Sequence, residues 1–235
     1  MNKVNTTLLD IPEDKFIYRI IRFEFLKKWF ETGQLPLLSP SLWEDPFESA
    51  LMRQVFPQEE NRLEARGRMH GLSFSKNGIS DALWRIYSPD INSIRIKTSA
   101  GILSNALKHA PELQQGNIYL GSVRYSNTKE WVEQAKKIKS LAKRNGPKAI
   151  AEAMLLKRRP FTHEEEVRLL YIDGTKGENE NLLYVTLDPH EVIKTLLIDP
   201  RAREEEAQKY KDYFKKSAGY KNSIAQSSIY QVPKF

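Results

Sequence analysis

The chain has no cysteine, which excludes disulfides, thiolate nucleophiles, cysteine-ligated zinc and iron–sulfur clusters. It also has no stretch approaching the roughly 20 apolar residues that span a bilayer, so no membrane association is expected. Met1–Asp10 lacks a basic flank followed by an apolar run. No secretory signal is therefore predicted, and the default compartment is the cytoplasm. Neither GxGxxG nor GxxxxGK followed by Ser or Thr occurs, so the dinucleotide fingerprint of a Rossmann unit and the P-loop are both missing. His70, His109, His163 and His190 are scattered without HExxH spacing, which argues against a zinc hydrolase. No long Gly-, Ser- or Pro-rich linker, repeat or low-complexity tract divides the 235 residues. One domain over residues 1–235 is expected, with a single helical elaboration.

Charge is abundant and unevenly spread. Lys and Arg number 37 against 30 Asp and Glu. Between Gly121 and Pro160 there are eleven Lys or Arg against three acids, a net of +8. Lys136, Lys137, Lys139, Lys143, Arg144, Lys157, Arg158 and Arg159 belong to this stretch, and a basic face of this kind attracts polyanions such as RNA or DNA. The competing structural reading is a solvated helix surface.

Apolar spacing predicts strands at Lys15–Ile21, Gly71–Ser75, Ser93–Lys97, Asn117–Tyr125, Val167–Asp173, Leu182–Leu187, Val192–Ile198 and Ser227–Val232. Helices are predicted at Arg22–Thr32, stopped by Gly33, and at Ala100–His109 and Arg201–Phe214. A short helix capped by Ser80 carries Trp84 and Tyr87. A basic helical region over Thr128–Leu156 is expected to break at Asn145-Gly146-Pro147, forming an insertion at about 126–158. Strands and helices interleave without a βαβ rhythm, which gives an α+β fold.

Three fragments carry chemistry: Tyr18-Arg19, Ser73-Phe74-Ser75 and Glu164-Glu165-Glu166-Val167-Arg168-Leu169. Their order, arginine then Ser-x-Ser then Glu-x-Glu, resembles the arginine–serine–glutamate class of ADP-ribosyltransferases. That resemblance covers about three strands and implies a split antiparallel or mixed sheet core with surrounding helices, using NAD. A second resemblance covers nearly the whole length. The turn Trp43-Glu44-Asp45-Pro46-Phe47-Glu48, the Trp84/Tyr87 pair, Glu164-x-Glu166-x-Arg168 and Val192–Pro200 resemble a bacterial family of unknown function found near phage-defence and abortive-infection genes. Glu44 stands where that family usually has Asn. Together the resemblances imply a toxin or antiviral-defence effector, with nucleic acid as acceptor ahead of protein and an antitoxin as neutralising partner.

Each implied role has a physical basis. Breaking the ribose–nicotinamide bond passes through an oxocarbenium-like state that a carboxylate stabilises. The resemblance gives that task to Glu166. Glu164, two residues earlier on an extended chain, shares its side and would orient the acceptor or take its proton. Arg19 would hold a phosphate or ribose of NAD, Ser73 would brace Glu166 with Ser75 in support, and Tyr87 or Trp84 would stack on a ring. The structural alternatives are ordinary ones: Arg19 or its neighbour Arg22 pairing with a surface acid, the serines facing solvent, Trp84 and Tyr87 lying in the core, and Glu165 pairing with Arg158 or Arg159. Two further functions compete with transfer. One is a metal-dependent nuclease built from Asp45, Glu48, Glu164 and Glu166, and the other is a non-catalytic nucleic-acid-binding module.

Overall fold

The computed structural model describes residues 6–43, 45, 69–173 and 181–232, except the side chains at 41, 135 and 138–145. Strands β1 (Thr6–Leu9), β2 (Phe16–Arg22), β3 (Gln34–Leu38), β4 (Met69–Ser75), β5 (Ser93–Ser99), β6 (Gly116–Ser122), β9 (Glu166–Asp173), β10 (Leu182–Thr186), β11 (Thr195–Ile198) and β12 (Ser223–Gln226) form one mixed, mainly antiparallel sheet. Its order is β1-β6-β9-β4-β2-β5-β11-β12, and β3 links β10 to β4. Strands β7 (Arg124–Ser126) and β8 (Leu156–Arg158) pair separately. The architecture is α+β, as the interleaved elements predict.

The sheet has a large core on one face and a small one on the other. Along β9, Val167, Leu169 and Tyr171 enter the large cluster, with Ile17, Phe74, Ile94 and Leu120. Leu170 and Ile172 enter the small one, with Met69, Tyr119, Ala151, Met154 and Leu155. Helix α1 (Phe23–Thr32) closes the large core through Phe23, Leu26 and Trp29 and ends at Gly33 in the left-handed region, φ 67°. Glycine fits there because it has no Cβ to clash. Helices α2 (Asp81–Tyr87) and α3 (Ala100–Leu107) begin at Ser80 and Ser99, whose hydroxyls accept from Leu83 and Ile102 N–H. Each satisfies a donor that a helix start leaves unpaired. Helix α4 (Thr128–Met154) starts with a capping box between Asn127 and Glu130 and kinks at Gly146, φ 57°, beside Pro147. The expected break is therefore present.

Several boundaries differ from expectation. The predicted strand at Asn117–Tyr125 divides at Val123, whose N–H donates to Glu166 O, while Arg124 N–H donates to Leu155 O. The chain thereby leaves the main sheet for β8. At Val192–Ile198 only Thr195–Ile198 is extended, because Asp188 caps a helical turn, α5 (Pro189–Val192). The last strand is Ser223–Gln226, parallel to β11, rather than Ser227–Val232. Helix α6 (Glu204–Asp212) starts later than Arg201, because Arg201 is spent on Asp199. Strand β1 was not anticipated. No helix among the described residues is long and apolar enough to cross a membrane.

Candidate active site

Strands β2, β4 and β9 lie side by side, and they carry Arg19, Ser73 with Ser75, and Glu166. β2 and β4 pair only at Tyr18 and Ser75, whereas β4 and β9 pair along their whole length, with Ser73 opposite Arg168 and Ser75 opposite Glu166. The sheet therefore splits between β2 and β4. Arg19 spans the split, donating from Nη1 to Ser73 O at 2.5 Å. A cleft opens there, lined among others by Tyr18, Arg19, Ser73, Ser75, Glu164 and Glu166.

Glu166 is 3% exposed and its carboxylate is fully engaged. Oε1 accepts from Ser73 Oγ at 2.6 Å and Arg168 Nε at 2.7 Å. Oε2 accepts from Arg168 Nη2 and Lys157 Nζ, each at 3.0 Å. Four bonds fill the acceptor capacity of a carboxylate. Burial alone would raise its pKa, but Arg168 first, then Lys157 and the Ser73 hydroxyl, outweigh burial and hold it at about 2. Glu166 is thus a permanently charged group fixed in the cleft wall.

Lys157 links the two acids, because its Nζ also donates to Glu164 Oε2 at 2.7 Å. Burial works against its charge, but Glu166 and Glu164 keep its pKa above the usual lysine value. Glu164 does not lie on the strand. It ends a 3₁₀ turn, Arg159–Glu164, and Glu165 follows at φ 43° before β9 begins. The three acids therefore do not crowd one strand; Lys157 bridges Glu164 and Glu166, while Arg158 and Arg159 lie against Asp45 and Glu130 rather than Glu165. Ser75 Oγ donates to Glu164 O at 2.6 Å and accepts from Asn77 N–H at 2.9 Å, tying the turn to the end of β4.

Arg168 is positioned by small residues around it. Trp43 lies 4.6 Å over its guanidinium. Gly71 makes room for that indole, since a Cβ there would sit 2.9 Å from the ring. Gly121, opposite Arg168 in β6, lets Leu155 pack close; a Cβ would meet it at 2.4 Å. Close packing at Leu155 brings Met154 O within 2.7 Å of Arg168 Nη1.

The other expected site residues fall in different places. Trp84 is 1% exposed and lines the cleft from α2, while Tyr87 is 45% exposed at its mouth. Burial and the charges of Glu164 and Glu166 push the Tyr87 hydroxyl pKa up. Arg201 fixes this helix by donating to Trp84 O and Ser88 O at 3.0 and 2.7 Å while held by Asp199. Burial lowers the pKa of Arg19 to about 10, with Tyr87 and Glu166 opposing that shift. Arg22 pairs with Asp90 instead. Of the basic stretch, Lys136 and Lys137 are exposed on α4, and Arg159 is exposed near Glu130 at 3.8 Å. Lys157 is buried against the acids, and Arg158 pairs with Asp45 at 3.0 Å, so these two do not extend an open basic face. The side chains of Lys139, Lys143 and Arg144 lie outside the described residues, as do Glu44, Pro46, Phe47 and Glu48. The four-acid metal centre is not assembled among the described residues, because Asp45 engages Arg158 while Lys157 sits between Glu164 and Glu166.

Sequence reasoning missed Lys157 as a partner of the acids, Arg168 as the clamp, and Tyr18, Asn77 and Arg95 as cleft residues. The available signal was Arg168 itself, an arginine inside an otherwise apolar strand, where a buried cation demands a partner.

By sequence, no known family and no characterised relative matches the chain. By structure, it is similar to DarT of Thermus sp. 2.9 in complex with NAD+, at 13% identity, TM-score 0.43, covering 92% of this chain and 97% of that one. The same protein in complex with ADP-ribosylated ssDNA gives 12% identity, TM-score 0.43 and coverages of 93% and 96%. Its carba-NAD+ complex gives 12%, 0.41, 92% and 97%. At these TM-scores the likeness is loose.

Proposed function

We propose that the chain is an NAD-dependent ADP-ribosyltransferase acting on nucleic acid, and that it serves as a toxin or defence effector. The observation that carries this reading is the bond from Ser73 Oγ to Glu166 Oε1 at the rim of a split that Arg19 spans. It brings three distant fragments of sequence into one cleft. The cleft lining combines guanidinium, hydroxyl, aromatic and carboxylate groups, the set a dinucleotide's phosphates, riboses and rings require.

NAD supplies an ADP-ribosyl group whose bond to nicotinamide breaks with the electron pair leaving on nicotinamide. Arg19 pairs with a phosphate or donates to a ribose oxygen, and Tyr87 and Trp84 offer ring surface. Glu166 presents fixed negative charge to the developing cation, so no reorganisation is needed during reaction. Ser73 orients that carboxylate. Glu164, whose carboxylate accepts from Lys157 Nζ and meets the Tyr87 hydroxyl at the cleft mouth, is the group that takes the acceptor's proton.

A nucleic acid suits the exposed basic residues of α4, and the reading includes a neutralising partner because such a transfer would harm its own host. The test is nicotinamide release from NAD with and without single-stranded oligonucleotide. Release that depends on Glu166 and rises with oligonucleotide supports the reading. Absence of release under every condition overturns it in favour of nucleic-acid binding alone.

A further inference from the structure

Arg95 is a second guanidinium in the cleft wall, and the roles above do not use it. It lies on β5 opposite Ile20 of β2, across the split from Ser73. Its guanidinium carbon sits 4.8 Å over the Tyr18 ring. Gly78 lets that ring approach closely, since a Cβ there would come within 2.6 Å of it. Arg95 Nε is shut off from solvent without a hydrogen-bond partner, and no acid lies within ion-pair distance of the side chain among the described residues.

The neighbouring arginines behave differently. Arg168 spends its donors on Glu166 and Met154 O, and Arg201 spends its own on Asp199, Trp84 O and Ser88 O. Arg19 is committed through Nη1 to the Ser73 carbonyl. A half-buried guanidinium with no acid partner among the described residues, stacked on an aromatic ring and lining a cleft, is organised for an anion at its Nη end. Burial also lowers the pKa of Arg95, only partly opposed by Tyr18, and a bound anion would relieve that cost.

We infer that Arg95, stacked on Tyr18, is the anion site for the diphosphate of the dinucleotide, leaving Arg19 to close the split and meet the ribose end. This rests on the reading that NAD occupies the cleft. The two Nη groups of the planar guanidinium can meet two phosphate oxygens at once, which a lysine cannot do.

The test is calorimetric titration of the full chain and its Arg95→Met and Arg95→Lys variants with NAD, ADP-ribose and nicotinamide. NAD and ADP-ribose should bind about tenfold to a hundredfold more weakly to Arg95→Met, with little recovery in Arg95→Lys, while nicotinamide binding is unchanged. Equal affinity of wild type and both variants for NAD and ADP-ribose overturns the inference and leaves the transferase reading standing. Loss of affinity for all three ligands also overturns it, because that marks disturbance of the whole cleft. Failure of the wild type to bind either nucleotide overturns both this site and the transferase reading.

Discussion

Arg168 grips Glu166 from two residues along the same strand, with Nε on Oε1 at 2.7 Å and Nη2 on Oε2 at 3.0 Å. Residues at i and i+2 share a face of a strand, so the clamp is written into the local sequence. Both side chains are nearly inaccessible, and removing one partner leaves the other charge buried. Arg168→Met should therefore destabilise the protein by about 3–5 kcal/mol in urea unfolding. The double variant Arg168→Met/Glu166→Gln should lose less than the sum of the single losses.

Acid should weaken the fold through the same carboxylate. The folded pKa of Glu166, about 2, lies below its unfolded value of 4.5. A depressed carboxylate contributes stability that is present above the unfolded pKa and is lost as pH falls through the folded one. Stability should fall between pH 4.5 and about 2. Denaturant titrations across that window should show a shallower slope in Arg168→Met, whose Glu166 titrates closer to its unfolded value.

The sequence made the three site fragments legible because each has a strand-like apolar pattern around a polar residue, and β2, β4 and β9 do place Arg19, Ser73 and Glu166 on adjacent strands. The partners of the acids were not legible. Lys157 reads as one more cation in a basic run, and only the return of the chain through β8 and the 3₁₀ turn brings it to Glu164 and Glu166. Gly71 and Gly121 carry no signal by themselves, since their purpose is to leave room for Trp43 and Leu155 from elsewhere in the chain. The missed boundaries at Val123 and Asp188 are likewise set by tertiary hydrogen bonding and a cap.

Gly71→Ala should test the packing behind the clamp. Its Cβ would meet the Trp43 ring at 2.9 Å and the Leu169 carbonyl at 3.0 Å, and the backbone oxygen cannot easily move away. Overpacking of this kind costs about 1–3 kcal/mol. Thermal denaturation should show the loss, and NAD turnover should drop because Arg168 shifts beneath the displaced indole.

Ser73→Ala removes one of the four bonds to Glu166 without changing charge. A hydrogen bond to a charged group contributes about 1.5–3 kcal/mol, so kcat should fall about tenfold to a hundredfold with a smaller change in KM for NAD. Steady-state kinetics at saturating oligonucleotide would measure both. An unchanged kcat would remove Ser73 from the reaction.

Lys129 and Lys136 are exposed on α4. If this face meets the acceptor's phosphates, Lys129→Gln/Lys136→Gln should weaken oligonucleotide binding uniformly across sequences and reduce the salt slope by up to about 2. NAD affinity should not change. Fluorescence anisotropy from low to moderate salt would give the slope directly.

The central claim is that Glu166 and Glu164 serve a transfer of ADP-ribose to nucleic acid. Its most direct test is incubation of the protein with adenylate-labelled NAD and, separately, single-stranded DNA, RNA and protein, beside Glu166→Gln and Glu164→Gln. The account predicts label on a nucleic acid with wild type and none with Glu166→Gln. It also predicts that Glu164→Gln remains folded and binds NAD but transfers little. Undiminished labelling with Glu166→Gln, or no NAD turnover with any acceptor, would contradict it.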